Sequence, residues 1–117
     1  MTSPETAVNE IQTVVEEIKG IGKMPVMIGG EHTITLGTLR ALKPQTVIVF
    51  DAHLDLRDEL FEERLCHATY LRRAHEEIGF KLVIVAARAF LSTPIFSASS
   101  SIVLAWVILE ALLLRSF

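Results

Sequence analysis

Val47-Ile48-Val49-Phe50-Asp51-Ala52-His53-Leu54-Asp55 decides how this chain is read. Apolar, mostly β-branched residues run straight into three side chains that can ligate a metal. The run has no polar alternation and is too short for a helix of its own, so it reads as a short buried strand. The ligands stand where that strand ends, which is where open parallel α/β sheets carry their sites. Asp51, His53 and Asp55 are spaced i, i+2 and i+4, and extended backbone would put all three on one side. Carboxylates with an imidazole suit Mn or Zn better than metals that favour thiolate. A strand ending in a polar turn, with Asp and His in local hydrogen bonds, is the alternative reading.

A second stretch bears on that choice. Gly29-Gly30-Glu31-His32-Thr33 follows another short apolar run, Pro25-Val26-Met27-Ile28, which also reads as a strand. A helical pattern then runs from Thr33 to Leu42. His32 therefore lies just past a strand end, as Asp51 does. The glycine pair permits a sharp turn close to the site. Alone, Gly-Gly is a plain turn and His32 a helix-start residue. As two neighbouring strand–ligand–helix units, the stretches predict adjacent parallel strands that bring His32 beside Asp51 and Asp55.

With these two motifs in order, the chain resembles the arginase/agmatinase family, the ureohydrolases. That family carries Gly-Gly-Asp-His-[Ser/Thr] and then Asp-Ala-His-x-Asp, each after a strand. Glu31 departs from the usual Asp and keeps the charge. Further on, His67-Ala68-Thr69-Tyr70-Leu71-Arg72-Arg73 is similar to the His-Gly-Thr-x-x-Arg-Arg segment of agmatinase-like members. The Thr and paired Arg favour the agmatinase branch over the arginase branch; Ala68 adds a methyl group where the family has Gly. The resemblance implies a site with two Mn ions, whose bound water becomes a strong nucleophile near neutral pH. It implies hydrolysis of a guanidino compound, most simply agmatine to putrescine and urea. His32 and Asp55 would serve one ion and His53 the other, with Asp51 bridging both. Asp51 could also take up a proton, and His67 would bind substrate or hand a proton to the leaving amine.

The rest of the chain sets bounds. Its 117 residues suffice for one small domain. A net charge of −3 argues against a nucleic-acid partner. The single cysteine, Cys66, excludes an internal disulfide and fits a reducing, cytoplasmic setting; it reads as a packed residue. The polar start lacks the pattern of a signal peptide. Residues 1–22 read as a scaffold helix: Ser3 caps it, Pro4 takes the first position, and Val8, Ile11, Val15 and Ile18 form the buried stripe. The charged stretch 54–66 reads first as a solvated face, and second as a pocket border whose acids attract a cationic substrate. Tyr70, Leu71, Ala74 and Ile78 make an apolar helical stripe ended by Gly79, with His75 left on the surface. Residues 82–86 form a third strand candidate.

From Leu91 on, the composition shifts. Only Glu110 and Arg115 are charged, and residues 97–101 are a Ser-rich patch. A span of about 20 apolar residues would have to take in four serines, so a membrane anchor is not favoured, and a buried helix is an equally good reading. The expected division is a partial ureohydrolase domain at 1–90 and an apolar tail without family resemblance at 91–117. A shifted reading frame would produce such a change. The family's later Ser-x-Asp-x-Asp motif supplies two more metal-binding aspartates, and no Asp follows Asp58 here. The expectation is thus a middle segment with weak metal binding and little or no turnover. The alternative is a non-catalytic remnant or interaction module that keeps the strand–helix scaffold. The expected architecture is α/β, a parallel sheet flanked by helices, as part of a three-layer α/β/α sandwich. Open sheet edges point to a homo-oligomer.

Overall fold

A computed structural model of the chain describes residues 3–88 and the backbone of Ile102–Ala105. The elements are α1 (Pro4–Gly20), a 3-10 turn (His32–Ile34), α2 (Thr35–Leu42), β1 (Thr46–Phe50), α3 (Tyr70–Ile78), β2 (Lys81–Val85) and β3 (Ile102–Ala105). The strands form one parallel sheet in the order β1-β2-β3. Thr46 pairs with Lys81 and Phe50 with Val85, so β1 and β2 end level with one another. This is the α/β arrangement expected.

Local chemistry sets the helices. Ser3 Oγ accepts from Thr6 N at 3.2 Å, and Pro4 needs no partner for a missing N–H. Val8 and Val15 of the predicted stripe are buried. α2 packs on α1 at Gly37, where backbone meets backbone. Arg40 ties the helices together: Nη1 donates to Glu5 at 2.6 Å, while Nε and Nη2 donate to the two oxygens of Glu77 at 2.8 and 2.9 Å. These carboxylates push the guanidinium's pKa further above its ordinary value. The core joins the three helices to one face of the sheet through Val8, Leu36, Tyr70, Leu71, Leu82 and Ile84.

Four expectations change. Pro25–Ile28 is not a strand: it has no regular secondary structure, and Val26 is 81% and Ile28 93% exposed. A strand needs a neighbour's backbone groups, and among the described residues β1 is paired along one edge only, with β2. His75 is buried rather than superficial, edge-on to Phe80 with ring centroids 5.4 Å apart. Residues 102–105, inside the run read as a buried helix or an anchor, form a strand; the rest of that run lies outside the described residues. The stretch 54–66 is irregular but only partly exposed, and Leu56 within it joins the core. No helix among the described residues is long and apolar enough to cross a membrane.

Asp58 anchors that charged stretch to α3 by accepting from Arg73, whose Nη1 also bonds Glu76 at 2.9 Å. The Arg73 guanidinium, helped by Arg72 and Arg64, holds the Asp58 carboxyl below its usual range. A carboxyl whose folded pKa is depressed adds stability that is complete above its unfolded value of about 4 and is lost as pH falls through the folded one. Asp58→Asn should therefore flatten the acid arm of the stability curve below about pH 4. Denaturant midpoints measured from pH 3 to 5 check this; equal slopes for both proteins would contradict it.

Candidate metal centre

The site forms where β1 stops. Asp51 N donates to Val85 O at 3.2 Å, which carries the sheet ladder one residue past Phe50. The chain then turns, because Asp51 Oδ1 accepts from His53 N at 2.9 Å. Asp55 adopts a left-handed φ of 51°, uncommon for a residue with a Cβ. The turn and that φ replace the extended geometry expected for residues 51–55. Asp55 still comes round to face Asp51, while the His53 ring stands 70% exposed on the outer side, its Nδ1 3.5 Å from Asp51 Oδ1.

His32 arrives from the other direction. It opens the 3-10 turn before α2, and the packing of α2 on α1 and α3 places it, rather than a strand beside β1. Its Nδ1 lies 3.4 Å from Asp51 Oδ2 and 3.3 Å from Asp55 Oδ2. His32, Asp51 and Asp55 each offer one ligand atom, all within 4.8 Å of one another. His67 lies across the same cavity of about 460 Å³, half-way out to solvent, with its Nδ1 3.5 Å from Glu31 Oε1. His53, Arg57 and Ala68 also line this cavity.

The charges are unbalanced in a way that favours a cation. Burial and then the neighbouring Asp51 charge raise the Asp55 carboxyl above its usual range, against the pull of His32, His53 and His67. Two part-buried carboxylates facing one imidazole nitrogen form a hard oxygen–nitrogen donor set, and Mn or Zn fits it. A bound dication would reverse the local bias and hold both carboxyls ionised.

The segment from His67 to Arg73 divides its work. Thr69 is fully buried; its Oγ1 accepts from Cys66 N at 2.9 Å and donates to Arg64 O at 3.0 Å, closing the loop ahead of α3. Arg72 and Arg73 face Asp58 and Glu76. These residues fasten the charged stretch to α3, the helix that follows the turn carrying His67. Tyr70, read from the sequence as part of an apolar stripe, also reaches the site: its hydroxyl is 3.2 Å from His32 Nε2. A buried tyrosine hydroxyl usually finds a polar partner, and that was the signal available.

Residues 1–107 match the arginase family. An agmatinase of Pyrococcus horikoshii is 37% identical over 101 residues, which cover 85% of this chain and 35% of that protein. A guanidinobutyrase of Pseudomonas aeruginosa is 43% identical over 75 residues, 61% of this chain and 24% of that one. Among solved structures, the agmatine ureohydrolase of Thermoplasma volcanium superposes with a TM-score of 0.73 at 30% identity, covering 87% of this chain and 36% of its own. The chain thus spans between a quarter and about a third of the length of these curated relatives.

Proposed function

This chain belongs to the arginase family, and from that premise we propose that it carries part of the metal site of a manganese hydrolase acting on a guanidino compound, most simply agmatine, with urea and putrescine as products. The observation that carries this reading is the convergence of His32 Nδ1 with the carboxylates of Asp51 and Asp55 at the end of β1. Manganese bound there would acidify a water and supply the nucleophile. In this proposal His32 and Asp55 would serve one ion and His53 the other, and Asp51, whose Oδ2 faces His32 and whose Oδ1 faces His53, would serve both. Asp51 would also take up the proton that the attack releases. His67, at the cavity wall with Glu31 behind it, is placed to orient a guanidinium or return a proton to the leaving amine. Beyond these ligands the cavity is lined by Arg57 and His67 and not by the other acids of the 54–66 stretch, so those acids add no negative charge to the described lining.

With no Asp after Asp58, the chain brings four of the side chains such a site uses. On that account the chain alone holds a single ion weakly and turns over little or no substrate, unless another chain adds carboxylates. We assign this role to residues 1–90 and none to 91–117, while noting that the family match and β3 both reach beyond residue 90. A cytoplasmic place in polyamine synthesis goes with the agmatine reading, with no nucleic-acid or membrane partner. One observation favours the alternative of a non-catalytic association module. Ile48 and Phe50 are 60% and 78% exposed on the sheet face opposite the core, whereas parallel sheets are normally covered on both faces. Such a face suits a homo-oligomer.

Calorimetric titration of the whole chain with Mn²⁺, with urea release from agmatine and from 4-guanidinobutyrate assayed on the same sample, tests the proposal. Bound metal with urea from agmatine supports it. A single ion held weakly, with little or no urea, is the result expected of the chain alone and supports the partial-site reading. A folded chain that takes no metal overturns the site itself.

A further inference from the structure

His32 has two ring nitrogens, and each faces a different partner. Nδ1 looks at Asp51 and Asp55 at 3.4 and 3.3 Å. Nε2 lies 3.2 Å from the hydroxyl of Tyr70. The two rings sit 4.6 Å apart, tilted by 36°, and Tyr70 is 1% exposed at the start of α3. The residue is therefore clamped by the core and its hydroxyl has little freedom to move away.

A nitrogen that ligates a metal must present its lone pair. A neutral imidazole that ligates through Nδ1 carries its proton on Nε2, and that proton needs an acceptor. Metal-bound histidines regularly have such a partner on the far nitrogen, which fixes the tautomer and the ring's orientation. Without an ion the polarity is opposite: Nδ1–H can donate to the carboxylates, and Nε2 must then accept. A hydroxyl both donates and accepts, so it serves either state; a carboxylate could only accept and an ammonium only donate.

We propose that Tyr70 is the positioning residue of the metal centre: its hydroxyl selects Nδ1 of His32 as the ligating nitrogen, and the hydrogen bond between them reverses direction when the ion binds. Tyr70 touches neither ion nor substrate in this account. The inference rests on the metal reading above and adds to it the residue that prepares one ligand. The fold supports the same link: α3 packs on α2, the helix that follows the His32 turn, and this holds the two rings in contact.

Tyr70→Phe keeps the ring and removes only the hydroxyl. Zn²⁺ is a suitable probe because it is diamagnetic. The expected result is a loss of about 10- to 100-fold in Zn²⁺ affinity by calorimetry, with the metal-free melting curve and circular dichroism close to those of the parent. A variant that binds Zn²⁺ as tightly as the parent overturns the proposal and leaves the metal site standing. A parent that binds no Zn²⁺ overturns both, and the metal reading first. A second measurement does not depend on the variant's folding. In the parent labelled with ¹⁵N-histidine, Zn²⁺ should move the His32 proton from Nδ1 to Nε2. A proton that remains on Nδ1 in the Zn²⁺-loaded protein, meaning ligation through Nε2, would also overturn it.

Discussion

Asp51→Asn should lower Mn²⁺ affinity by more than about a hundredfold, beyond what losing an outer-shell partner costs, while the metal-free fold remains. Among the described residues, Asp51 is the carboxylate that meets both His32 and His53: Oδ2 faces His32 at 3.4 Å and Oδ1 faces His53 at 3.5 Å. Removing its charge takes away half of the carboxylate charge in the three-residue donor set. The amide keeps an oxygen for the His53 N–H at 2.9 Å, so the turn after β1 can persist. The variant also relieves a cost that the metal-free protein carries, because the Asp51 charge opposes ionisation of the part-buried Asp55. The metal-free melting temperature should therefore not fall. Calorimetric titration with Mn²⁺ and a melting curve on the same preparation decide the matter. Unchanged affinity would remove Asp51 from the site. A collapsed melting curve would instead mean that the charge maintains the turn.

How far the sequence revealed this arrangement depends on whether each feature was local. The strand at 46–50 and the helix at 70–78 follow from short apolar runs and helical spacing, and both were legible. The meeting of His32 with Asp51 and Asp55 was legible as an outcome, although its route was not. The Pro25–Ile28 run has the composition of a strand, but pairing depends on a neighbour elsewhere in the chain. His75 matched no motif and was assigned to the surface. Its spacing held the correct signal, since it lies four residues after the buried Leu71 on the same helix face. The turn at Asp55 was hidden for another reason. Strict period-2 spacing suggested extended backbone, whereas a left-handed residue brings the second carboxylate round. Functional sites are where such local departures concentrate.

Gly37→Ala presents two opposing effects, and their magnitudes decide the outcome. In the interior of α2 the substitution gains up to about 1 kcal/mol of helix propensity. The added Cβ would lie 2.4 Å from the Val8 carbonyl oxygen, and 3.1 Å from both Gln12 N and Ile11 Cβ. The closest of these atoms is backbone of α1, so no side chain can swing aside. The two helices must separate or tilt. Overpacking of this kind costs about 1–3 kcal/mol and sometimes more; with propensity subtracted that leaves about 0–2 kcal/mol, and the 2.4 Å contact with backbone puts Gly37→Ala at the upper, destabilised end. Gly37→Val should cost more, since it adds bulk and a β-branch in a helix. Gly20 offers the contrast, because nothing lies within 4 Å of a Cβ built there. Gly20→Ala should leave stability unchanged or slightly raised. Urea denaturation of the three variants checks the order, and a Gly37→Ala protein as stable as its parent would refute the close approach. The consequence reaches the metal centre, although Gly37 does not line the cavity. His32 stands in the turn that leads directly into α2, so a displaced α2 carries its Nδ1 away from Asp51 and Asp55. Mn²⁺ affinity should fall in Gly37→Ala and hold in Gly20→Ala, because the distance between two helices sets the distance between a ligand and its partners.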